Sequence, residues 1–359
     1  MIGPLYRLGR PFLFGLDAEA AHGLSLRALG CGLPLGLPVR SSPRLGVTLA
    51  GLTFPNPLGM AAGYDKNGEV PDALLALGFG FVEVGTVTPL PQAGNPRPRV
   101  FRLVEDRAVI NRLGFNNDGH DALAARLAAR KGRAGIVGVN IGANKDAADR
   151  IADYEAGVRR FAPVASYLTA NVSSPNTPGL RNLQSRESLA ELLRRMVAAR
   201  EEAGCSTPIF LKIAPDLTEP ELAEVAEEVL ASGIEGIIVS NTTLARGGLR
   251  SAARGESGGM SGVPLFALST AILARMRRLV GPDLAIIGAG GVDSAAAAAE
   301  KICAGADLVQ LYSSMVYEGP ALPGLIVAGL DRIVAEAGAD TIRALRDTRL
   351  DHWCAQPIG

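Results

Sequence analysis

The sequence predicts an α/β protein: a (β/α)8 barrel, the TIM-barrel architecture, with an N-terminal helical extension. Short apolar runs alternate eight times with helix-length segments rich in Ala, Leu, Glu and Arg. The strand runs are continuously apolar, which is typical of a parallel sheet buried on both faces. Eight such units over roughly 290 residues match a barrel with insertions. A doubly wound open sheet is the alternative.

At 359 residues, the chain could form one large α/β barrel or two ordinary domains. The chain is 48% hydrophobic and 20% charged, so it can bury a sizeable core. Its formal net charge of zero gives no general attraction for nucleic acid. The scattered cysteines and histidines indicate a reducing compartment and argue against zinc, iron–sulfur centres, any other metal site or a disulfide framework. These residues are Cys31, Cys205, Cys303, Cys354, His22, His120 and His352.

Each predicted strand ends in polar residues or glycines. The strands are expected near Pro57–Ala61, Phe81–Gly85, Ile136–Asn140, Tyr167–Asn171, Ile209–Ile213, Gly236–Ser240, Ala285–Gly288 and Asp307–Leu311. Barrel active sites are assembled from several strands at this carboxyl-terminal face. Any one such residue could be a turn or cap residue, but the repetition at all eight strands indicates a site.

The segment Asn171–Gly179 follows the fourth strand and is the most informative part of the chain. Its carboxamides and hydroxyls are held on a turn that two prolines stiffen, which suits a planar ligand bearing amides, with Ser174 beside it. An ordinary polar turn is the alternative, because Ser, Asn and Pro are common turn residues.

A phosphate cradle is predicted after the seventh strand. In the run Ile287–Val292, glycines let the backbone approach a ligand closely, and the N–H groups at the start of the next helix favour an anion. Barrels often bind phosphate after strands seven and eight. A dinucleotide-binding fingerprint is rejected, because Asp293 stands where its third glycine should be and no first βαβ unit precedes it.

Only five of the 36 basic residues are lysines. In such an Arg-rich chain, the remaining lysines are expected where a compact ammonium matters, since Lys and Arg are not interchangeable there. Lys66 and Lys212 fall at predicted strand ends, with a salt bridge as the alternative role for Lys212. Lys131, Lys145 and Lys301 are predicted to lie on loops or helix surfaces.

Residues 1–40 are predicted to form an amphipathic helical extension to the barrel of residues 41–359. The extension combines large apolar residues with arginines, and Asp17 is expected to cap a second helix. Its apolar stretches are shorter than the roughly 20 residues of a membrane span. It also lacks the pattern of a signal peptide or organellar presequence. We expect helices lying in a membrane interface, with covering one end of the barrel as the alternative.

Taken together, the motifs resemble dihydroorotate dehydrogenase, specifically its membrane-associated, quinone-reducing class. The resemblance runs from about Tyr6 to about Pro320 and depends on the order and spacing of many short motifs. The motifs are Asn56–Asn67, Gly85–Pro89, Pro96–Arg99, Ile110–Asn117, Asn171–Gly179, Leu211–Asp216, Ser240–Thr243, Ser261–Leu265, Gly290–Val292 and Gln310–Ser313.

The resemblance implies a bound FMN whose phosphate lies in the cradle. The implied flavin contacts are Ala61, Ala62, Gly63, Tyr64, Asp65, Thr86, Asn140, Asn171, Lys212, Ser240, Gly262, Gly291, Tyr312 and Ser313. The implied contacts of dihydroorotate or orotate are Lys66, Asn111, Arg112, Leu113, Gly114, Phe115, Asn171, Asn176, Asn241 and Thr242. These types suit the ligand, because carboxamides match the amide edges of its ring and Lys66 can offset its carboxylate.

The resemblance also implies a mechanism. Ser174 matches the catalytic base that takes a proton from C5 while hydride passes from C6 to the flavin, and serine rather than cysteine there points to the quinone class. Thr177 is the nearest hydroxyl for a proton relay, and Phe115 would help to exclude water. Lys212 would stabilise negative charge on the reduced flavin.

For the extension, the resemblance implies a quinone tunnel with His22, Arg102 and Tyr312, at the cytoplasmic face of a bacterial inner membrane. Two other hypotheses remain at this stage. One is a soluble dihydroorotate dehydrogenase that uses fumarate or a nicotinamide partner. The other is a non-catalytic or differently specific phosphate-binding barrel.

Overall fold

A computed structural model of the chain describes residues 2–32 and 42–358. The predicted boundary near residue 40 lies outside them, so the division into 1–40 and 41–359 stays a prediction. The helices are α1 (Ile2–Gly15), α2 (Ala18–Gly30), α3 (Pro71–Ala76), α4 (Gly119–Ala129), α5 (Arg150–Phe161), α6 (Arg186–Glu202), α7 (Glu219–Ser232), α8 (Phe266–Val280), α9 (Ala295–Cys303), α10 (Ser314–Glu318), α11 (Leu322–Glu336) and α12 (Leu350–Cys354). The strands are β1 (Val47–Leu49), β2 (Leu52–Phe54), β3 (Leu58–Met60), β4 (Phe81–Val87), β5 (Val100–Leu103), β6 (Ala108–Asn111), β7 (Ile136–Ile141), β8 (Tyr167–Asn171), β9 (Ile209–Ile213), β10 (Gly236–Val239), β11 (Gly259–Gly262), β12 (Ala285–Ala289) and β13 (Leu308–Leu311).

The predicted barrel is confirmed. Eight parallel strands close in the order β3, β4, β7, β8, β9, β10, β12 and β13, and β13 pairs back onto β3. The doubly wound alternative is therefore wrong. Each observed barrel strand ends within two residues of its predicted limits. The agreement follows from burial, because nearly every residue in these strands is inaccessible to solvent on both faces.

Aromatic rings close the amino end of the barrel, where the strands begin. Phe81, Tyr167 and Phe210 lie near the starts of β4, β8 and β9, with ring centroids 6.3 and 5.4 Å apart in that order. Glycines on adjacent strands make room for them: a Cβ on Gly138 would lie 2.1 Å from the Tyr167 ring, and one on Gly59 would lie 2.3 Å from Phe81.

The amino end also holds a buried ion-pair cluster. Asp307, directly before β13, accepts hydrogen bonds from Arg277 at 2.6 Å and from Arg346 at 2.5 Å. Its carboxylate also accepts the backbone N–H of Ile286 at 2.9 Å. The side chains of Arg277 and Asp307 are 2% and 5% exposed. Such multiple pairing is what a buried charge requires.

Two small sheets lie outside the predicted elements. β1 and β2 form an antiparallel hairpin, and β5, β6 and β11 form a three-stranded antiparallel sheet. The second sheet joins the segment between β4 and α4 to the segment between β10 and α8. Its strands have four residues each, and such short strands in long connections carry too little periodicity to be recognised from sequence.

Helices α1 and α2 are the predicted extension. Asp17 caps α2 as expected, and its carboxylate accepts the N–H groups of Glu19 and Ala20. Tyr6 donates its hydroxyl hydrogen to the carbonyl of Val316 at 2.6 Å, which fastens α1 to α10. None of the described helices is long and apolar enough to cross a membrane.

The expectation that Lys301 lies at the surface is wrong. Its side chain is fully buried, and its ammonium donates to the hydroxyls of Ser269 and Thr270 at 2.9 Å each. The surrounding helix, α9, contains five consecutive alanines. Alanine on several faces of a helix does not show which face is buried, so the pattern gave no signal for this lysine.

Candidate active site

One cavity of about 580 Å³ lies at the carboxyl end of the barrel and continues between α1 and α2. It brings together most of the residues that the sequence predicted for the site. These are Ser174, Ala61, Ala62, Gly63, Tyr64, Thr86, Asn171, Lys212, Ser240, Gly262, Gly291, Tyr312, Ser313, Lys66, Asn111, Leu113, Gly114, Phe115, Asn176, Asn241, Thr242, His22 and Arg102.

Three predicted site residues lie outside this lining. Asp65 is buried, and its carboxylate accepts the N–H groups of Glu69 and Val70 at 2.8 Å, which shapes the loop after β3. Arg112 is directed to Glu256, at 2.7 Å. Asn140 lies beneath the cavity and reaches it through Thr86. Asp65 and Arg112 are therefore placed to hold loops in position.

A hydrogen-bonded chain of polar side chains forms the floor of the cavity. Thr86 donates to Asn140 at 2.5 Å, and Asn171 donates to Thr86 at 2.8 Å. Asn241 in turn donates to Asn171 at 3.1 Å. Because each carboxamide is tied to the next, their remaining donors and acceptors have fixed directions, as recognition of a planar ring requires.

Glu83 anchors this chain inside the barrel. Its carboxylate accepts hydrogen bonds from Asn140 at 2.8 Å, Tyr167 at 3.0 Å and Gln310 at 2.9 Å. Thr169 adds a fourth donor at 3.2 Å. A fully buried carboxylate with four donors is well stabilised, and it fixes the amide of Asn140.

Ser174 lies in the loop after β8 and is 6% exposed. Its hydroxyl oxygen accepts the backbone N–H of Asn176 at 3.3 Å. The side-chain amide of Asn176 donates to Asn111 at 3.2 Å, so the loop after β8 is tied to β6. No Asp, Glu or His of the described residues hydrogen-bonds to the Ser174 hydroxyl. Thr177 is buried nearby in sequence, and Phe115 lines the cavity with a φ of 52°.

Lys66 points into the cavity without a carboxylate partner among the described residues. Its ammonium donates to the side-chain oxygen of Asn116 at 2.5 Å. Burial, assisted by the guanidinium of Arg99, lowers the pKa of Lys66 to about 7. A cation held in this way gains from an incoming carboxylate, because the opposite charge offsets the cost of its burial.

Lys212, on β9, is the second cation in the cavity. It is 6% exposed, and the described part of the chain gives its ammonium no hydrogen-bond or ion-pair partner, so the salt-bridge alternative fails there. Burial lowers its pKa, and the charge of Glu83 partly opposes that shift. A fixed ammonium in a dry site can stabilise negative charge that develops on a ligand.

The predicted cradle has the close backbone approach that a phosphate group needs. Gly290 and Gly291 have φ values of 103° and 74°. A Cβ on Gly291 would lie 2.5 Å from the Cβ of Phe266, at the start of α8, so only glycine fits there. The segment leads into α9, whose Ser294 cap and first turn contain no acidic residue. These features favour an anion.

An aromatic cluster lines the part of the cavity nearest α2. His22 packs edge-on against Tyr64 with centroids 5.1 Å apart, and Tyr64 packs edge-on against Tyr312 at 5.6 Å. Burial lowers the pKa of His22 to about 4, with a smaller contribution from the charge of Lys66. The imidazole is therefore neutral at pH 7 and can exchange a hydrogen bond without carrying charge.

Arg102, on β5, holds the mouth of this apolar part. Its guanidinium donates to the carbonyl of Leu13 at 3.0 Å and also to the carbonyl of Leu16. It lies over the ring of Phe14, 5.0 Å from the centroid. The end of α1 is thus fixed over the three-stranded sheet by a cation.

Sequence reasoning missed Glu83, Gln310 and Asn116. Glu83 stands in the middle of an apolar run, which could have marked it as an inward-facing buried charge. Gln310 and Asn116 lie in the motifs Gln310–Ser313 and Ile110–Asn117, but no role was predicted for either side chain. All three act through hydrogen bonds to residues that are distant in sequence, and a local pattern does not identify such partners.

Comparison with known proteins gives a consistent result. A family model described as dihydroorotate dehydrogenase matches residues 44–334. A relative from Mesorhizobium japonicum, named dihydroorotate dehydrogenase (quinone), is 66% identical over 99% of both chains. A relative of the same name from Rhizobium etli is 64% identical over the full length of both.

Solved structures agree. A crystal structure of DHODH from Eimeria tenella in complex with ferulenol superposes with a TM-score of 0.90 at 39% identity, covering 95% of this chain and 99% of the other. Fold, extension and family model all point the same way, so the chain is an oxidoreductase and belongs to the dihydroorotate dehydrogenase family.

Proposed function

We propose that this chain oxidises dihydroorotate to orotate in pyrimidine biosynthesis, with FMN as hydride acceptor and a membrane quinone as the final electron acceptor. The observation that carries the proposal is the single cavity with two chemically different ends. One end has carboxamides, Ser174 and Lys66, and the other is apolar and lies between α1 and α2. The relatives named dihydroorotate dehydrogenase (quinone) support the same reaction.

The residues present fit FMN. The glycines of the cradle leave space that a Cβ would fill, and the N–H groups at the start of α9 suit a phosphate. Thr86, Asn171 and Lys212 line the neighbouring floor, where Asn171 and Lys212 can donate to the polar edge of a flavin ring. FMN supplies hydride acceptance when bound. Lys212 contributes a positive charge beside the ring, which favours the reduced, anionic flavin.

Substrate binding falls to the carboxamide end. Lys66 pairs with the carboxylate of dihydroorotate, because it is the cavity-facing ammonium beside Asn116. Asn111, Asn176 and Asn241 present amide groups to the edges of the ring. The hydrogen bond between Asn176 and Asn111 fixes the orientation of both, which limits the substrate to one pose.

Ser174 removes the proton from C5 of the substrate. A serine hydroxyl is a weak base, and no carboxylate or imidazole of the described residues touches it, so its proton must leave through a relay. Thr177 is a hydroxyl in the same loop that can pass it on. Phe115 covers the site and keeps water out, which strengthens each charge interaction inside.

The apolar end suits a quinone. Leu13, Phe14 and Ala21 of the two N-terminal helices line it, and His22 and Tyr312 lie at its inner limit. His22 is neutral at pH 7, so it can hydrogen-bond to a quinone oxygen without placing a charge in an apolar passage.

The same helices support peripheral attachment to the cytoplasmic face of a bacterial inner membrane. Leu8 and Phe12 are 73% and 81% exposed and stand four residues apart on α1, so they form one apolar face. Leu16, at the end of that helix, is 45% exposed in the same register. Such a face suits the interfacial layer of a bilayer.

The decisive experiment is acceptor preference. We expect the purified protein to be yellow, to lose its flavin absorbance when mixed anaerobically with dihydroorotate, and to regain it rapidly with a long-tailed quinone. Reoxidation by fumarate or NAD⁺ in place of quinone would assign the chain to the soluble class. Absence of flavin absorbance would leave only the phosphate-binding barrel.

A further inference from the structure

Lys301 has no part in the chemistry proposed so far, although its burial is costly. The side chain is fully buried, and its ammonium donates to the hydroxyls of Ser269 and Thr270 at 2.9 Å. Among the described residues, no carboxylate lies within ion-pair distance of it. A buried ammonium without an opposite charge destabilises a fold, so its presence requires another explanation.

The surroundings of Lys301 add positive potential. Ser269 closes the first turn of α8 and Thr270 follows it, and that first turn has no acidic residue. Lys301 itself stands in the last turn of α9, and its ammonium reaches the start of α8. The amino end of a helix carries partial positive charge, so an ammonium there is repelled. The acid that stands next to the cradle in sequence, Asp293, pairs instead with Arg107 at 3.3 Å. Two sources of positive potential thus meet without an anion from the chain.

The same ammonium lies directly behind the phosphate cradle. Ser269, which accepts from Lys301, is 3.2 Å from the carbonyl oxygen of Gly290 and can donate to it. The Lys301 side chain passes 3.2 Å from where a Cβ on Gly288 would stand, and its ammonium lies over the Phe266 ring, 5.0 Å from the centroid. Phe266 is also the residue against which Gly291 packs. The lysine therefore supports both sides of the cradle.

We propose that Lys301 is a positioning residue for the FMN phosphate, acting from behind the cradle through Ser269 and through its charge. The dianionic phosphate supplies the negative charge that the chain leaves out at this place. The proposal rests on the proposed FMN cofactor and adds a residue that neither the motifs nor the cavity lining includes. Burial lowers the pKa of the free ammonium to about 7, and a phosphate nearby favours its protonated form.

The test uses holoenzyme of the wild type, Lys301→Met and Lys131→Met. Methionine keeps the length of the side chain and removes the charge, and Lys131 is an exposed lysine that serves as the matched control. Flavin release on dilution is followed by fluorescence, and bound phosphate is observed by phosphorus NMR. We expect release about 10-fold to 100-fold faster in Lys301→Met, and a shifted phosphorus resonance, with an unchanged flavin absorbance spectrum. Lys131→Met should match the wild type.

The outcomes separate cleanly. An unchanged phosphorus resonance in Lys301→Met overturns the proposal even if release is faster, because a purely structural lysine would loosen the flavin without acting on its phosphate. If Lys301→Met yields no holoenzyme, Ser269→Ala decides: a shifted resonance supports the proposal and an unchanged one overturns it. A wild-type protein whose bound flavin has no phosphorus signal would contradict the FMN cofactor itself, independently of Lys301.

Discussion

The two ends of the barrel treat buried charge in opposite ways. At the amino end, Asp307 is paired with both Arg277 and Arg346, so the chain supplies every partner. At the carboxyl end, Lys66 and Lys212 face a cavity and have no carboxylate partner among the described residues. The difference teaches where function lies. Buried charges that are paired within the chain stabilise the fold, and buried charges without an opposite charge beside them are available to a ligand.

The largest effect should come from the carboxyl end, with Ser174→Ala. We expect FMN to stay bound while flavin reduction by dihydroorotate slows by roughly 10²–10⁴, as for a lost general base. Ser174→Cys should retain more activity, because a thiolate can accept the proton. Rapid mixing under anaerobic conditions measures the rate. Reduction at the wild-type rate would show that another group is the base.

A comparable change at the amino end should affect stability alone. Asp307→Asn removes the buried carboxylate that pairs most closely with Arg277 and Arg346, and leaves them only the more distant Asp347, at 3.9 and 3.3 Å. Breaking such a buried pair costs up to about 3–5 kcal/mol of unfolding free energy. Denaturant unfolding measures the loss. The control is Asp351→Asn, since Asp351 is 97% exposed in its pair with Arg278 and should contribute little.

The rate of flavin reduction in folded Asp307→Asn tests whether the ion-pair cluster at the amino end affects the cavity. We expect it to equal the wild-type rate per bound flavin, because the cluster lies at the opposite end of the strands from the cavity. A slower rate would mean that the two ends are coupled.

Lys66→Met should weaken orotate binding by about 10-fold to 100-fold, as expected for a lost hydrogen bond between charged groups. Lys145→Met is the matched control, because that lysine is exposed on a loop. Titration of the flavin absorbance with orotate gives both affinities. Equal affinities for the two variants would place the carboxylate elsewhere, with Lys212 as the next candidate.

Orotate affinity should also depend on pH. Burial lowers the pKa of Lys66 to about 7, so the free site loses its charge as pH rises through that value. The carboxylate of orotate stays ionised, and it binds the charged form. Affinity should therefore be constant below about pH 7 and fall by up to about tenfold per pH unit above it. In Lys66→Met the profile should be flat, and a slope that persists there would mean that another group titrates.

The smallest and most specific effect concerns the extension. Replacing Leu8 and Phe12 by glutamate removes the exposed apolar face of α1, and we expect association with lipid vesicles to fall at least about tenfold. Leu230→Glu, at an exposed leucine of α7, is the control. Turnover with a small dye should be unchanged. Undiminished vesicle binding would favour helices that only cover the barrel.

The barrel was predictable because its strands are buried on both faces and so form continuous apolar runs. The polar residues at their ends located the cavity for the same reason, since parallel strands bring all their carboxyl ends to one face. This arrangement was enough to predict that the cavity contains Ser174, Lys66 and Lys212. Their positions follow from topology alone.

Contacts between distant segments were not predictable. Arg112 belongs to a substrate motif by sequence, but its guanidinium reaches Glu256 across the three-stranded sheet. Lys301 looked like a surface residue because an alanine-rich helix does not mark its buried side. Glu83 depends on four donors from three other strands, β7, β8 and β13. Each of these is a property of packing across the barrel, where sequence separation hides spatial proximity.

The close fit of Gly138 against the Tyr167 ring has a consequence for protein engineering. A side chain at position 138 would collide with the ring, so an alanine there could be accommodated only by shortening Tyr167. That repair would remove the hydroxyl that donates to Glu83 at 3.0 Å. A second mutation that relieves the clash by shortening Tyr167 would therefore disturb Glu83. Because Glu83 also holds Asn140, the floor of the cavity would change as well. Libraries built for heat resistance should vary Gly138 and Tyr167 together or leave both alone.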